Sequence, residues 1–377
     1  MPSIVLCSLL SLLVLSAMAQ DGQPNGASGE SVKPFWKASV MEAESLLFVR
    51  AEDGQPVTAP LLFTPTKILA VKSSSGTITY QEGKDYLFHP GSRILAVPPG
   101  SAIPVTTAKQ LTPPLGTQPF NLRRRDGKGD ILFAPSHEYA DMQVEVTYEH
   151  RKSEWKLPAP RFASHELPLT LQKLKNGEPL RVMFFGDSIT VGGNASKLSN
   201  VAPFMPPFPD LLIQNLKRTY KSDIPYKNLS VGGMTAAWGV QNIAPVAAEK
   251  PDLVILAWGM NDSSGGEGRP VQDFIADIQG QMEAIRKQQP KAEFILVCSM
   301  LPNEECHWAN PKVILAYRDA LKKLQGPGVA IADVTSVWAE LLKRKTYLDF
   351  TGNGVNHPND FGHRLYAQVL SALLIQE

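Results

Sequence analysis

Between Phe35 and Trp155 short apolar runs alternate with turn residues: SLLFVR, APLLF, KILAVK, TITY, DYLFH, RILAVP, DILFA and MQVEVTYEH. In the last of these Val144, Val146 and Tyr148 alternate with Glu145, Thr147 and Glu149, the period of two expected of a strand with one buried face. Glu82-Gly83, Pro90-Gly91, Pro99-Gly100 and Asp126-Gly127 supply turns between the runs. The pattern predicts an all-β, sandwich-like accessory domain over residues 35–156.

After Leu157-Pro158-Ala159-Pro160 the texture changes, and residues 157–179 read as a linker. Continuous apolar runs at 181–185, 253–257, 294–297 and 329–332 then alternate with amphipathic stretches at 210–220, 271–289, 311–324 and 361–374. Strands without polar alternation are buried on both faces, so residues 180–377 are expected to form an α/β domain with a parallel sheet between helices. Ligands of such sheets bind beyond the carboxyl ends of the strands. The polar motifs fall there.

The N-terminal residues 1–20 hold an apolar run from Ile4 to Leu15, then Ala17-Met18-Ala19, the layout of a secretory signal peptide. The run is short for a bilayer span, the competing reading. A secreted or periplasmic protein is expected, with residues 21–34, rich in Gly, Ser and Pro, as a disordered leader. Charge changes the picture by exclusion: 37 Lys+Arg against 36 Asp+Glu leave +1, no footprint for nucleic acid or for a membrane surface after signal cleavage. Three cysteines cannot build a disulfide scaffold, and no Cys/His spacing suggests zinc. Cys7 leaves with the signal; Cys298 and Cys306 either pair across a short loop or remain a strand thiol and a loop thiol, the latter being the expectation.

Four loops carry candidate chemistry. Gly186-Asp187-Ser188-Ile189-Thr190 puts a serine just past the first strand, where a nucleophile is presented at a strand-to-helix turn. Gly232-Gly233 follows the second strand and lets a backbone N–H approach a ligand. Trp258-Gly259-Met260-Asn261-Asp262 ends the third strand with a side-chain amide, and Asn353-Gly354-Val355-Asn356-His357-Pro358 places a histidine before the last helix.

In this order and at these strand ends, the loops resemble the blocks of the GDSL/SGNH hydrolase superfamily, from about Leu180 onward. The resemblance implies a flavodoxin-like SGNH hydrolase domain, and serine esterase chemistry with no cofactor and no metal. It implies Ser188 as nucleophile, His357 as general base, and an oxyanion hole from the N–H groups of Ser188 and Gly233 with the Asn261 amide. Gly232 replaces Gly233 if the loop register differs by one. One departure stands out: the family usually has Asp three residues before the histidine, and here that position is Gly354. The open alternatives are a neutral amide at Asn353 or a main-chain carbonyl orienting His357, or an acid supplied from Asp349 or another distant carboxylate.

The arrangement resembles secreted bacterial members that remove acetyl groups from polysaccharides, which implies an acylated carbohydrate or other small ester as substrate. A lipase or lysophospholipase of the same superfamily is the rival enzyme, and a catalytically weak carbohydrate-binding protein the rival from another class. The long Pro-rich loop 191–209 is expected to wall the site. Phe204, Met205, Phe208, Trp238, Trp258 and Trp308 either stack on sugar faces or pack internally. In the β-domain Tyr80, Tyr86 and Tyr139 either bind glycan or belong to a module that packs beside the active site, the latter being expected. Arg123-Arg124-Arg125 reads as a solvated turn, and the Asn-x-Ser matches at Asn194, Asn228 and Asn261 as coincidental.

Overall fold

The computed structural model describes residues 34–51, 55–118, 122–151, 154–157 and 160–376. The expected signal peptide and almost all of the leader lie outside them. No helix among the described residues is long and apolar enough to cross a membrane.

The N-terminal region holds strands β1 (Val40–Leu47), β2 (Val49–Arg50), β3 (Val57–Pro60), β4 (Pro65–Ser73), β5 (Thr79–Tyr80), β6 (Leu87–Phe88), β7 (Ile94–Val97), β8 (Thr106–Thr107) and β9 (Gln143–His150). An antiparallel sheet of order β1-β9-β4-β5 and a smaller antiparallel sheet β3-β7-β6 are accompanied by a separate short parallel pair, β2-β8. The alternation in β9 is realised: Val144, Val146 and Tyr148 are buried, and Glu149 is exposed. The run 130–134 forms no strand. Its backbone instead bonds to Leu111, Leu122 and Asn353, so it crosses toward the C-terminal region as a strap.

The C-terminal region contains β10 (Val182–Gly186), β11 (Tyr226–Asn228), β12 (Leu253–Ala257), β13 (Glu293–Cys298) and β14 (Val329–Asp333) in one parallel sheet of order β11-β10-β12-β13-β14. Numbered within the sheet this is 2-1-3-4-5, the flavodoxin-like order, whose crevice opens between the first and third strands, β10 and β12. Every residue of β10, β12 and β13 is buried, which explains the absence of polar alternation. The helix Phe208–Thr219 buries Phe208, Leu212, Ile213 and Leu216, one stripe of a 3.6-residue repeat, and packs on the helix Asp360–Leu374. The segment expected as a linker also contains a helix, Pro168–Asn176, whose Leu171 and Leu174 are buried; its proline sits in the first turn, where no N–H is missed.

The two regions share one buried apolar cluster and are joined by polar groups within it. Lys345 has no exposed side chain and meets Glu44 Oε1 at 2.8 Å and Asp349 Oδ2 at 3.7 Å. Its Nζ also donates to the carbonyls of Pro60 at 2.7 Å and Ser45 at 3.3 Å. Glu44 accepts from Leu62 N–H and the Tyr148 hydroxyl, and Asp349 from the N–H groups of Leu47 and Thr346. Arg123-Arg124-Arg125 is not a free turn: Arg124 pairs with Asp126 and Glu305, and the Arg125 guanidinium donates to the carbonyls of Glu304, Cys306 and Ala309. Cys298 and Cys306 are both free and buried. Tyr80, Tyr86 and Tyr139 are buried too and form no exposed glycan platform.

Replacing Lys345 with Met removes the cation and leaves two carboxylates buried without it. The expected loss is about 3–5 kcal/mol of stability, read from urea unfolding, and an unchanged midpoint would refute the role given to the cluster.

Candidate active site

The first strand of the sheet delivers the serine. β10 ends at Gly186, and Asp187 caps the short helix Ser188–Val191 by accepting the Ile189 N–H at 3.0 Å. Burial pushes the Asp187 carboxyl up to about 7. The chain therefore turns sharply at Ser188, which is half-buried at the strand tip.

The histidine arrives on a loop folded around one side chain. Asn353, fully buried, accepts the N–H groups of Val355 and Asn356 at 2.9 Å and of His357 at 3.1 Å through its Oδ1. The loop closes where Gly352 N–H donates to the His357 carbonyl. This brings His357 Nε2 to 2.8 Å from Ser188 Oγ. Gly193 passes directly beneath the ring: a Cβ there would lie 2.7 Å from His357 Nδ1, so only glycine fits.

The other ring nitrogen, Nδ1, lies 2.8 Å from Asn194 Oδ1. The Asn194 amide cannot be turned over, because its Nδ2 donates to three carbonyls: Ser136 at 2.7 Å, Gly352 at 3.0 Å and Ala134 at 3.3 Å. With Oδ1 thus aimed at the ring, Nδ1 must carry the proton and Nε2 is left as the acceptor facing Ser188. Burial, with His363 nearby, lowers the His357 pKa to about 4.

Neither sequence-based candidate for this position occupies it. Asn353 holds the backbone of the loop, and Asp349 is spent on Leu47, Thr346 and the Lys345 cluster. The three-before position is closed by the strap. Gly354 has φ +85°, and a Cβ there would lie 2.3 Å from the Leu132 carbonyl oxygen and 2.5 Å from the Tyr139 hydroxyl. Asn194 carried a weak signal, a polar residue after two glycines close behind the serine, but nothing in the sequence pairs it with His357.

The remaining predicted residues converge on the same crevice. A Cβ at Gly232 would lie 3.7 Å from Ser188 Cβ, and Gly233 adopts φ +77° on the exposed side of the turn. Asn261 donates one amide hydrogen to the Met234 carbonyl at 2.9 Å, and an amide nitrogen has a second. Asp262, its carboxyl pushed up to about 6 by burial, accepts the N–H groups of Ala236 and Gly259 and so ties the second loop to the third. The aromatics divide. Phe208 and Trp258 are core, Trp258 donating to Gln281, and Trp238 is half-buried beside Phe185, whereas Phe204 is 48% exposed on the 191–209 loop.

Gly354→Asp, which would restore an acid three residues before the histidine, is expected to destabilise the fold by at least about 2 kcal/mol and to lower turnover. A variant as stable as the parent and equally active would contradict the packing described.

Residues 184–365 match the model of the GDSL-like lipase/acylhydrolase family. No curated protein matches the chain. Among solved structures the chain is similar to a two-domain esterase active on acetylated mannans, with 25% identity over 57% of this chain and 54% of that one, at a TM-score of 0.45. It thus spans about half of that protein's length. It is also similar to an acetylxylan esterase from Geobacillus stearothermophilus, with 18% identity over 54% and 97% of the two chains and a TM-score of 0.42. A carbohydrate esterase of family 3 from Talaromyces cellulolyticus matches with 18% identity over 51% and 94%, at 0.40. Residues 184–365, which hold the serine, both glycines, the asparagines and the histidine described above, are thus similar to the GDSL-like lipase/acylhydrolase family.

Proposed function

We propose that the protein is a secreted serine esterase that removes short acyl groups, acetyl above all, from carbohydrate, through a Ser188–His357 pair oriented by Asn194. The observation that carries the mechanism is the 2.8 Å approach of Ser188 Oγ to an Nε2 whose ring is locked from the other side. Ser188 Oγ attacks the acyl carbonyl while His357 Nε2 takes its proton. The negative charge that develops on the carbonyl oxygen is met by the N–H groups of Ser188 and Gly233 and by the second Asn261 amide hydrogen, each donor worth about 3 kcal/mol. His357 then returns the proton to the leaving sugar oxygen, leaving an acyl-Ser188. Water, deprotonated by the same nitrogen, releases the acid and restores the serine.

A neutral amide orients the imidazole without the charge a carboxylate would lend to imidazolium. The base is accordingly weak, and it is also free of its proton far below neutrality. The short-acyl reading is supported by the open side of the crevice, where Val231, Gly232 and Gly233 are exposed, and the carbohydrate reading by Phe204, an exposed ring on the adjoining loop. Secretion is supported by the Ile4–Leu15 run and Ala17-Met18-Ala19.

Ser188→Ala is expected to abolish p-nitrophenyl acetate hydrolysis, equal rates excluding the serine mechanism. Acetyl esters should be cleaved in preference to octanoyl esters, and acetate should be released from acetylated xylan or mannan; a preference for octanoyl would favour the lipase alternative. Because burial depresses the His357 pKa, turnover should hold steady as pH falls through the ordinary histidine range and drop only near pH 4. An acid limb near pH 6.5 would show that His357 is not the buried base.

A further inference from the structure

We infer that the strap at Ala134–Ser136, in the N-terminal region, is a working part of the catalytic apparatus: its carbonyls hold Asn194 so that His357 keeps its proton on Nδ1. The inference rests on the serine mechanism proposed above and assigns Asn194 as a positioning residue.

The Asn194 amide is a two-ended clamp. Its oxygen accepts from His357 Nδ1–H, and its nitrogen is surrounded by acceptors only, the carbonyls of Ala134, Ser136 and Gly352. Two of these three come from the N-terminal region. Any group placed at that end must donate a hydrogen, since a bare oxygen would face carbonyl oxygens at hydrogen-bond distance with nothing between them. The strap is itself anchored to the histidine loop, because Ala134 N–H donates to the Asn353 carbonyl and Leu132 lies against Gly354. Strap, Asn194 and His357 loop therefore form one hydrogen-bonded unit. Pro135, at its middle, is exposed and limits the backbone freedom of the two carbonyls that flank it.

This geometry decides which side chain the third position accepts. Changing Asn194 to Asp would write the familiar serine, histidine and aspartate set into the chain. Here the ionised carboxylate would meet the three carbonyls with no hydrogen to give them. Protonated, however, the same carboxyl is a near-copy of the amide: its O–H donates to the strap and its carbonyl oxygen accepts from Nδ1–H. The neighbouring acids act in the same direction, and one cation acts against it. Glu145, its carboxyl pushed up to about 7 by burial, and Asp360, also raised by burial, line the same small cavity as Asn194 and His137, with Arg364 close to both acids. His363, whose Nε2 lies 3.1 Å from the Gly193 carbonyl oxygen, is buried with its pKa lowered to about 4 and brings no charge near neutrality.

The test uses the full chain and the pH dependence of kcat for p-nitrophenyl acetate. Asn194→Asp should fall about 100-fold below the parent near pH 8, with KM little changed, and recover as pH drops toward about 5, where its carboxyl is protonated and His357 is still neutral. Activity equal to or above the parent near pH 8 would overturn the inference, because it would mean the carboxylate is accommodated and the strap carbonyls do not constrain this end. A second variant removes dependence on how that substitution folds. Pro135→Gly should lower kcat about fivefold in the parent and not at all in an Asn194→Ala background. Equal losses in both backgrounds would show that the strap acts on stability alone. If instead Ser188→Ala retains full activity, the serine mechanism itself fails, an outcome separable from either result.

Discussion

The site depends on one neutral amide surrounded by acceptors. Asn194 can satisfy three carbonyls only by turning its nitrogen toward them, and that choice commits its oxygen to His357 Nδ1. The tautomer of the histidine, and with it the acceptor at Nε2 facing Ser188, follows from hydrogen-bond accounting rather than from charge. A carboxylate performs this task by electrostatics and raises the basicity of the ring. The amide performs it by geometry, while burial lowers the His357 pKa to about 4.

Geometry of that kind has to be held from outside, and the antiparallel sheet supplies the support. Asn359, which caps the last helix, donates to Ser45 of β1 and to Gln143 of β9, and Gln143 in turn donates to the carbonyls of Leu348 and Thr351 at the base of the histidine loop. Asp349 fixes the same segment to Leu47 and lies beside Lys345 and Glu44. A histidine loop built of Gly, Asn and Pro has little side-chain packing of its own. Its order comes from buried polar contacts, and a partly satisfied polar network in such a place would be costly.

The parts legible in the sequence are those governed by local period and chain order. Unbroken apolar runs marked β10, β12, β13 and β14, so the residues at their carboxyl ends, Ser188 and Asn261, were placed correctly at the crevice of a parallel sheet, with His357 before the last helix. The parts that were not legible depend on contacts across long separations. The run 130–134 has the apolar texture of a strand but finds no strand partner and becomes the strap. Arg125 looks solvated in a charged turn, yet three carbonyls of the 304–309 loop occupy its guanidinium. Asp349 has the right charge for an acid and the wrong surroundings.

The sequence by itself determined the order of strands and helices, the parallel sheet and the places of Ser188 past a strand end and of His357 before the last helix, because burial patterning and strand-end position are properties of short segments. Only the tertiary structure decided which residue orients the histidine. Gly354 is barred from carrying an acid by a carbonyl at Leu132, and Asn194 is recruited by carbonyls at Ala134 and Ser136, about sixty residues away along the chain. Such a choice is made by unsatisfied backbone acceptors meeting in space, and no pattern of side chains along the sequence records where those acceptors will be.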